Sequence, residues 1–158
     1  MTIQAQVDRA YRVAYRLAYP VVWCWWRLLK RHQGVVVAVW VDDTVLAVRH
    51  SYKPGLHLVG GRLRRHEDHR LAAARELREE LDIAIDRDAL CLVVVAPTEL
   101  GLDYLYEARV TEKPALVVDR REIMEACFVH PGLLREMRDR DKVGEYVRRH
   151  ASGRSCYR

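Results

Sequence analysis

The chain has 158 residues, half of them hydrophobic, enough for one domain with a sizeable core and too few for two. Its net charge of +5 is uneven: residues 1–33 hold six Lys/Arg against one Asp, residues 135–158 hold eight against four, and the middle is acidic at thirteen against seventeen. Basic ends could attract nucleic acid or anionic lipid, but a solvated charged surface is the more frequent reason for them; the four cysteines, Cys24, Cys91, Cys127 and Cys156, form no CxxC pair, so neither a zinc knuckle nor a disulfide framework is indicated and a reducing cytoplasm suits them.

Residues 4–31 predict one long helix or a kinked pair. Val7, Ala10, Tyr11, Ala14, Leu17 and Ala18 fall at helical spacing with Arg9, Arg12 and Arg16 among them, and Pro20 is expected to kink or interrupt the run. The longest uncharged stretch, Leu17 to Trp26, is ten residues, about half of what a membrane span needs. No small-residue cleavage site follows it, so a secretory signal is a poor reading. Trp23, Trp25 and Trp26, with Arg27, Lys30 and Arg31 beside them, leave several covers open. These are the domain itself, a second copy in a homodimer, or the interface of a membrane, where aromatic rings and basic residues are favoured, and another partner is a fourth.

Gly34 to Trp40 is a continuous valine-rich run, and Val45 to Val48 follows across Asp42-Asp43-Thr44, the pattern of a hairpin between two strands. Arg49 to Gly55 then reads as a loop with two fixed positive charges, Arg49 and Lys53, directly before a glycine pair. A loop that holds phosphates or a base and a solvated basic turn are equal readings of it.

The densest chemistry lies in Gly60 to Ile83, GGRLRRHEDHRLAAARELREELDI. At roughly 100° per residue a helix gathers Glu76, Glu79 and Glu80 on one face, while Leu71, Ala74, Leu77 and Leu81 recur as an apolar stripe on the other. Like charges side by side on a helix repel by a few tenths of a kcal/mol per pair, about what i,i+4 ion pairs are worth, and a divalent cation would remove the penalty. Ligands that are all oxygen favour magnesium, calcium or manganese over zinc, and magnesium sites commonly share the ion with substrate phosphates. His66 and His69 flank Glu67 and Asp68, but the zinc motif HExxH fails because position 70 is Arg70. There is no Walker loop and no GxGxxG, and nothing marks a specific nucleic-acid contact.

These residues resemble the Nudix hydrolase signature, G-x5-E-x7-R-E-U-x-E-E-x-G-U with U aliphatic. Gly61 is followed after five residues by Glu67, then after seven by Arg75-Glu76-Leu77-Arg78-Glu79-Glu80-Leu81, with Asp82 and Ile83 closing the box. The last glycine is replaced by Asp82, a residue that tolerates the left-handed conformation better than most. Val59 stands where the family has proline, Leu56 where it has tryptophan, and His66 where it has glycine. None of these positions supplies a catalytic side chain. The resemblance implies that Glu67 pairs with Arg75 to fix the box loop around Gly61. It further implies that Glu76, Glu79 and Glu80, with the Gly60 carbonyl, hold Mg²⁺ or Mn²⁺. On the same resemblance Glu79 or Glu80 is expected to serve as ligand and base in turn, unless a later loop supplies the base, as in some members of the family, which would nominate Glu99 or Glu125.

Cys91 to Ala96 and Tyr104 to Val110 read as two further strands, and Cys127 to His130 as another. Glu122-Ile123-Met124-Glu125 precedes that last strand where the family sometimes places an extra metal ligand or base, and the placement is not unique between Glu122 and Glu125. Pro131 can begin a final helix with Leu133, Leu134, Met137, Val143 and Val147 on its apolar side.

The expectation is an α/β protein, an α/β/α sandwich with a mixed sheet as the Nudix resemblance implies, plus an additional N-terminal helix. The parts are a Trp-rich helical segment over 1–33, the hydrolase domain over 34–150 and a flexible tail over 151–158. The expected activity is Mg²⁺-dependent cleavage of a pyrophosphate bond in a nucleoside diphosphate linked to another group. Arg75, Glu79, Glu80 and Glu125 are its catalytic residues, and Arg49, Lys53 and Arg62 contact substrate. The alternative is a noncatalytic nucleotide sensor or a membrane-associated interaction module. The setting is cytoplasmic, with contact to a membrane surface open.

Overall fold

The computed structural model describes residues 3–29, 32–98, 101–118, 120–134 and 144–146. Its elements run α1 (Ile3–Leu29), β1 (His32–Val41), β2 (Thr44–His50), β3 (Val59–Arg62), α2 (His69–Leu81), β4 (Cys91–Pro97), β5 (Gly101–Arg109) and β6 (Ile123–Val129). The strands form one mixed sheet in the order β4-β5-β1-β2-β6, with β3 beside β1. The hairpin and the strands expected from the sequence are present, but β5 begins at Gly101 and not Tyr104, β6 begins at Ile123 and not Cys127 so that Glu125 lies within it, and β3 is an addition.

β1 is the axis of this sheet. Val35, Val37 and Val39 face one core while Ala38 and Trp40 face the other, which is why its sequence is a continuous apolar run without alternation. β5 runs parallel to it along the whole length, from His32↔Gly101 to Trp40↔Arg109. The opposite edge of β1 is divided: β2 pairs only at its end, through Trp40↔Val45 and Val41↔Thr44, and β3 takes Gly34 to Val37. Val48 and His57 exchange backbone hydrogen bonds of 2.8 Å. The chain leaving β2 is thus led back into the gap and delivers Gly60 and Gly61 onto β1.

α2 lies on the Val35-Val37-Val39 face and buries Ala72, Ala73, Leu77 and Leu81 there. This corrects the expected stripe: Leu71 is 45% exposed and Ala74 only partly buried. Two adjacent alanines let the helix rest close on the sheet, so the contact is centred on them and draws Glu80 inward, whereas hydropathy alone ranks leucine first. Both ends of α2 are capped. Asp68 accepts from the Arg70 and Leu71 amides at 2.9 and 3.1 Å, and Asp82 is left-handed at φ 56°, with its own amide bonded to Arg78 and that of Ile83 to Leu77. Asp82 therefore takes the conformation expected of it in place of glycine.

The other face of the sheet packs Ala38, Trp40, Val45, Ala47 and Leu105 against Leu134 and Tyr146, and the Trp40 indole donates to the Tyr146 hydroxyl at 2.8 Å. The segment expected to begin a helix at Pro131 starts as a 3-10 turn, Pro131–Leu134, with Leu134 buried and Leu133 exposed; residues 144–146 are helical. Met137, Val143 and Val147 lie outside the described residues, as do Glu99, Lys30, Arg31, Cys156 and the tail over 151–158. α1 is a single helix that Pro20 does not interrupt.

Candidate active site

The site is assembled where the divided edge of β1 meets α2. Gly60 lies against β1 so closely that a Cβ would stand 2.3 Å from the Val35 carbonyl, and a Cβ on Gly61 would stand 2.3 Å from the Glu76 carboxylate. The first glycine lets two backbones approach; the second keeps a cradle for a carboxylate. The loop that follows turns at His66, which adopts φ 62°. That is the left-handed region, and it accounts for glycine being usual at this position.

Arg75 is the hub. Its guanidinium grips Glu67 in bidentate fashion at 2.7 and 3.0 Å, reaches Glu76 at 2.8 Å and Glu79 at 2.9 Å, and donates to the Arg62 carbonyl at 3.1 Å. The planar fork of arginine suits this work, because one rigid group satisfies several carboxylate oxygens at once. Glu67 also accepts from the Arg64 amide at 2.7 Å, so the box loop is closed on itself. Its hydrogen bonds from Arg75 hold its carboxyl below the usual range, while the carboxylates around Arg75 push the guanidinium up. Arg64 adds a 2.7 Å ion pair to Glu79.

Glu76 and Glu80 stand one turn apart on the less exposed side of α2, and Glu79 faces outward. Burial pushes the Glu76 carboxyl up; Arg75 opposes the shift, and Glu79 and Glu122 add to it. Among the described residues no three of His, Cys, Asp and Glu converge on one point, since Arg75 draws both Glu76 and Glu79 to itself. The donor set nevertheless fits a hard cation. It is all oxygen, its carboxylates are crowded in a partly dry place, and Gly61 leaves room at Glu76. Glu76, Glu79 and Glu80 are the side chains able to hold one.

Glu122, just before β6, belongs to this group. Its carboxylate accepts from the Tyr52 hydroxyl at 2.5 Å, and burial together with Glu122 and Glu80 raises the Tyr52 phenol. Lys53 lies beside it: burial lowers its ammonium, and the fields of Glu122, Glu80 and Asp103 oppose that. The structure thus brings Lys53 and Glu122 to the box. It does not bring Arg49 and Glu125, which pair with each other at 3.2 Å. Strand alternation puts Arg49 with Val45 and Ala47 on the face away from α2, and an irregularity at Arg49/His50 sets Glu125 opposite Arg49 and Ile123 opposite His50. The Arg62 side chain is exposed at the end of β3.

His69 opens α2, stacks on Tyr104 with ring centroids 4.3 Å apart and hydrogen-bonds the Tyr106 hydroxyl. The histidines of the box are therefore anchors and turns. Tyr52, Asp103 and the helix-capping Asp68 were not singled out from the sequence. Of these only Asp68 carried a legible signal, a carboxylate immediately before a helical run.

α1 reaches the same place from outside. The rings of Tyr15 and Tyr19 lie on Tyr52 at 6.0 and 4.8 Å, Lys53 stands 5.3 Å from the Tyr19 ring, and Arg121 lies 5.1 Å over Tyr11 and 3.7 Å from Asp8. Tyr11, Tyr15 and Tyr19 are four residues apart, a spacing that could have identified the seated side of this helix.

Comparison with known families gives a match to the NUDIX domain over residues 30–149. Among solved structures, the chain is similar to a MutT NUDIX hydrolase from Burkholderia pseudomallei at 23% identity, covering 65% of this chain and 85% of that one with a TM-score of 0.57. An Ap4A hydrolase from C. elegans is similar at 16% identity over 77% and 95% of the two chains, TM-score 0.57. A bifunctional NMN adenylyltransferase/ADP ribose pyrophosphatase from Francisella tularensis, complexed with AMP and a manganese ion, is similar at 21% identity over 78% of this chain and 41% of that one, TM-score 0.55. No curated protein matches the sequence.

Proposed function

The chain belongs to the Nudix family of pyrophosphohydrolases, and we propose that it is a Mg²⁺-dependent hydrolase cleaving the pyrophosphate bond of a nucleoside diphosphate linked to another group. The observation that carries the reading is the Arg75 hub with Glu76, Glu79 and Glu80 on one helix, beside Lys53 and Glu122. An anion-binding module has no use for so much negative charge; a site that takes a phosphate chain together with a cation does.

In this reading Glu76, Glu79 and Glu80 hold the ion with the Gly60 carbonyl, and Arg75 keeps the box loop and the carboxylates in register. Mg²⁺, when bound, neutralises charge gathering on the phosphate oxygens and makes a water easier to deprotonate. Glu79 or Glu80 takes the proton of the attacking water, or Glu122 does so, filling the part that the sequence left between Glu122 and Glu125. Lys53 meets a phosphate oxygen, and Arg62 lies within reach of the substrate's exposed end. Mn²⁺ serves in place of Mg²⁺, a view supported by the ion named with the Francisella protein. Residues 34–150 form the catalytic domain, residues 1–33 an appended segment, and the setting is the cytoplasm.

The test is release of phosphate or mononucleotide from nucleoside triphosphates, dinucleoside polyphosphates and nucleotide sugars with Mg²⁺ or Mn²⁺. Glu79→Gln and Glu80→Gln, each close in size to the residue replaced, are expected to lower the rate at least about a hundredfold, roughly 2.7 kcal/mol of transition-state stabilisation, with the fold intact by circular dichroism. Chelation should stop the reaction and Mg²⁺ restore it. Nucleotide binding without turnover across the panel would leave the noncatalytic sensor as the better reading.

A further inference from the structure

α1 has two faces that differ in kind. Asp8, Tyr11, Tyr15 and Tyr19 are turned to the domain, where they meet Arg121, Tyr52 and Lys53. On the opposite side, at helical spacing, run Ala10, Val13, Ala14, Leu17, Val21 and Trp25. Val13 is 51% exposed, Leu17 71%, Val21 70% and Trp25 64%, a continuous apolar stripe several turns long. Arg9 and Arg16, both exposed, line one border of it. The only acidic residue of the helix, Asp8, is buried and faces Arg121.

A stripe of this size needs a cover, and four were open from the sequence: the domain, a second copy, a membrane surface and another partner. Among the described residues, the contacts of the domain with α1 lie on the other side of the helix. A second copy would bring an identical row of arginines, with no acidic residue of α1 on the outer face to meet it. No helix among the described residues is long and apolar enough to cross a bilayer, so contact with lipid would be flat. We propose that the outer face of α1 is a peripheral membrane-binding surface selective for anionic lipid, with the apolar stripe entering the headgroup boundary and Arg9 and Arg16 lying among the headgroups. Because the inner face sits on Tyr52 and Lys53, the helix then holds the active site close to the membrane plane.

The experiment is flotation of the full-length protein with vesicles of phosphatidylcholine alone or of phosphatidylcholine with phosphatidylglycerol. The protein is expected to float with the anionic vesicles, at least tenfold more tightly than with neutral ones, and to come off as salt rises. Leu17→Glu should abolish flotation while nucleotide hydrolysis in lipid-free buffer and the circular dichroism spectrum stay as in the wild type. The double variant Arg9→Gln/Arg16→Gln, which leaves the stripe intact, should weaken anionic binding about 25-fold. Wild-type protein that stays with the pellet in low salt overturns the proposal. So does a Leu17→Glu variant that floats normally, and so does sedimentation equilibrium showing a lipid-indifferent dimer that Leu17→Glu splits, which would give the face to a second copy. Hydrolysis is measured separately in each case, so loss of vesicle binding leaves the assignment of the active site standing.

Discussion

α2 buries Ala72, Ala73, Leu77 and Leu81 and turns Arg78 and Glu79 to solvent, whereas α1 turns its one acid inward and leaves Val13, Leu17, Val21 and Trp25 outside. Both are amphipathic, and only α2 uses its oily side to hold the domain together. α2 rests on a sheet and gains by removing apolar area from water. α1 rests on two loops through tyrosine rings, a lysine and a weak ion pair, so its oily side is left for something else. An apolar stripe therefore reports that a helix has a partner without saying on which side the known partner lies.

The sharpest way to break this comparison is to truncate one leucine from each helix. Leu77→Ala, at a fully buried position, is expected to cost about 2–5 kcal/mol, and Leu17→Ala to stay within about 0.5 kcal/mol, both read from urea unfolding of lipid-free protein. Equal losses would mean that the outer face of α1 is already covered in solution.

Acid probes the seat of α1 next. His50 packs against Tyr52, with ring centroids 5.2 Å apart, and burial, then Lys53 and His57, lowers its pKa from 6.5 to about 3. The fold thus favours neutral His50. That contribution is fully present above pH 6.5 and is lost as the pH falls from 6.5 toward 3, where the unfolded chain binds the proton and the folded one does not. The slope is at most about 1.4 kcal/mol per pH unit. Unfolding free energies measured across that window should show the slope, and His50→Leu should flatten it. A wild-type protein with no slope between pH 6.5 and 5 would mean that His50 is protonated freely in the fold.

The smallest effect belongs to the cap of α2. Asp68→Ala should cost about 1 kcal/mol, seen as a lower unfolding midpoint with an unchanged dependence on denaturant, because two first-turn amides lose their acceptor.

What was legible in the sequence follows from how local each feature is. The Glu67–Arg75 pairing lies within the box and the left-handed Asp82 at its end, so the resemblance of a short local motif was enough to anticipate both. The contact face of α2 was misjudged toward Leu71, because hydropathy cannot express how closely two alanines allow a helix to approach a sheet. Which of Glu122 and Glu125 lies beside the box was beyond the sequence: it depends on one irregular step in the pairing of β2 with β6, a register set by two strands more than seventy residues apart. Tyr52 became part of the site only because a divided strand edge leads the chain after β2 back toward β3.

That divided edge of β1 also bears on how the protein is made. Every partner of β1 on β5 is 69 residues further along the chain. At 5–20 residues per second of synthesis, roughly 3 to 14 s pass between the appearance of β1 and that of the strand that completes it. During that interval β3 and the tip of β2 can shield one edge, but the edge meant for β5 stays open along Val35 to Trp40, a valine-rich run without a charge. The nascent chain is therefore most exposed to misassembly at the strand on which the finished active site depends most, and slowing synthesis between β2 and β5 should lower the soluble yield more than slowing it after β6.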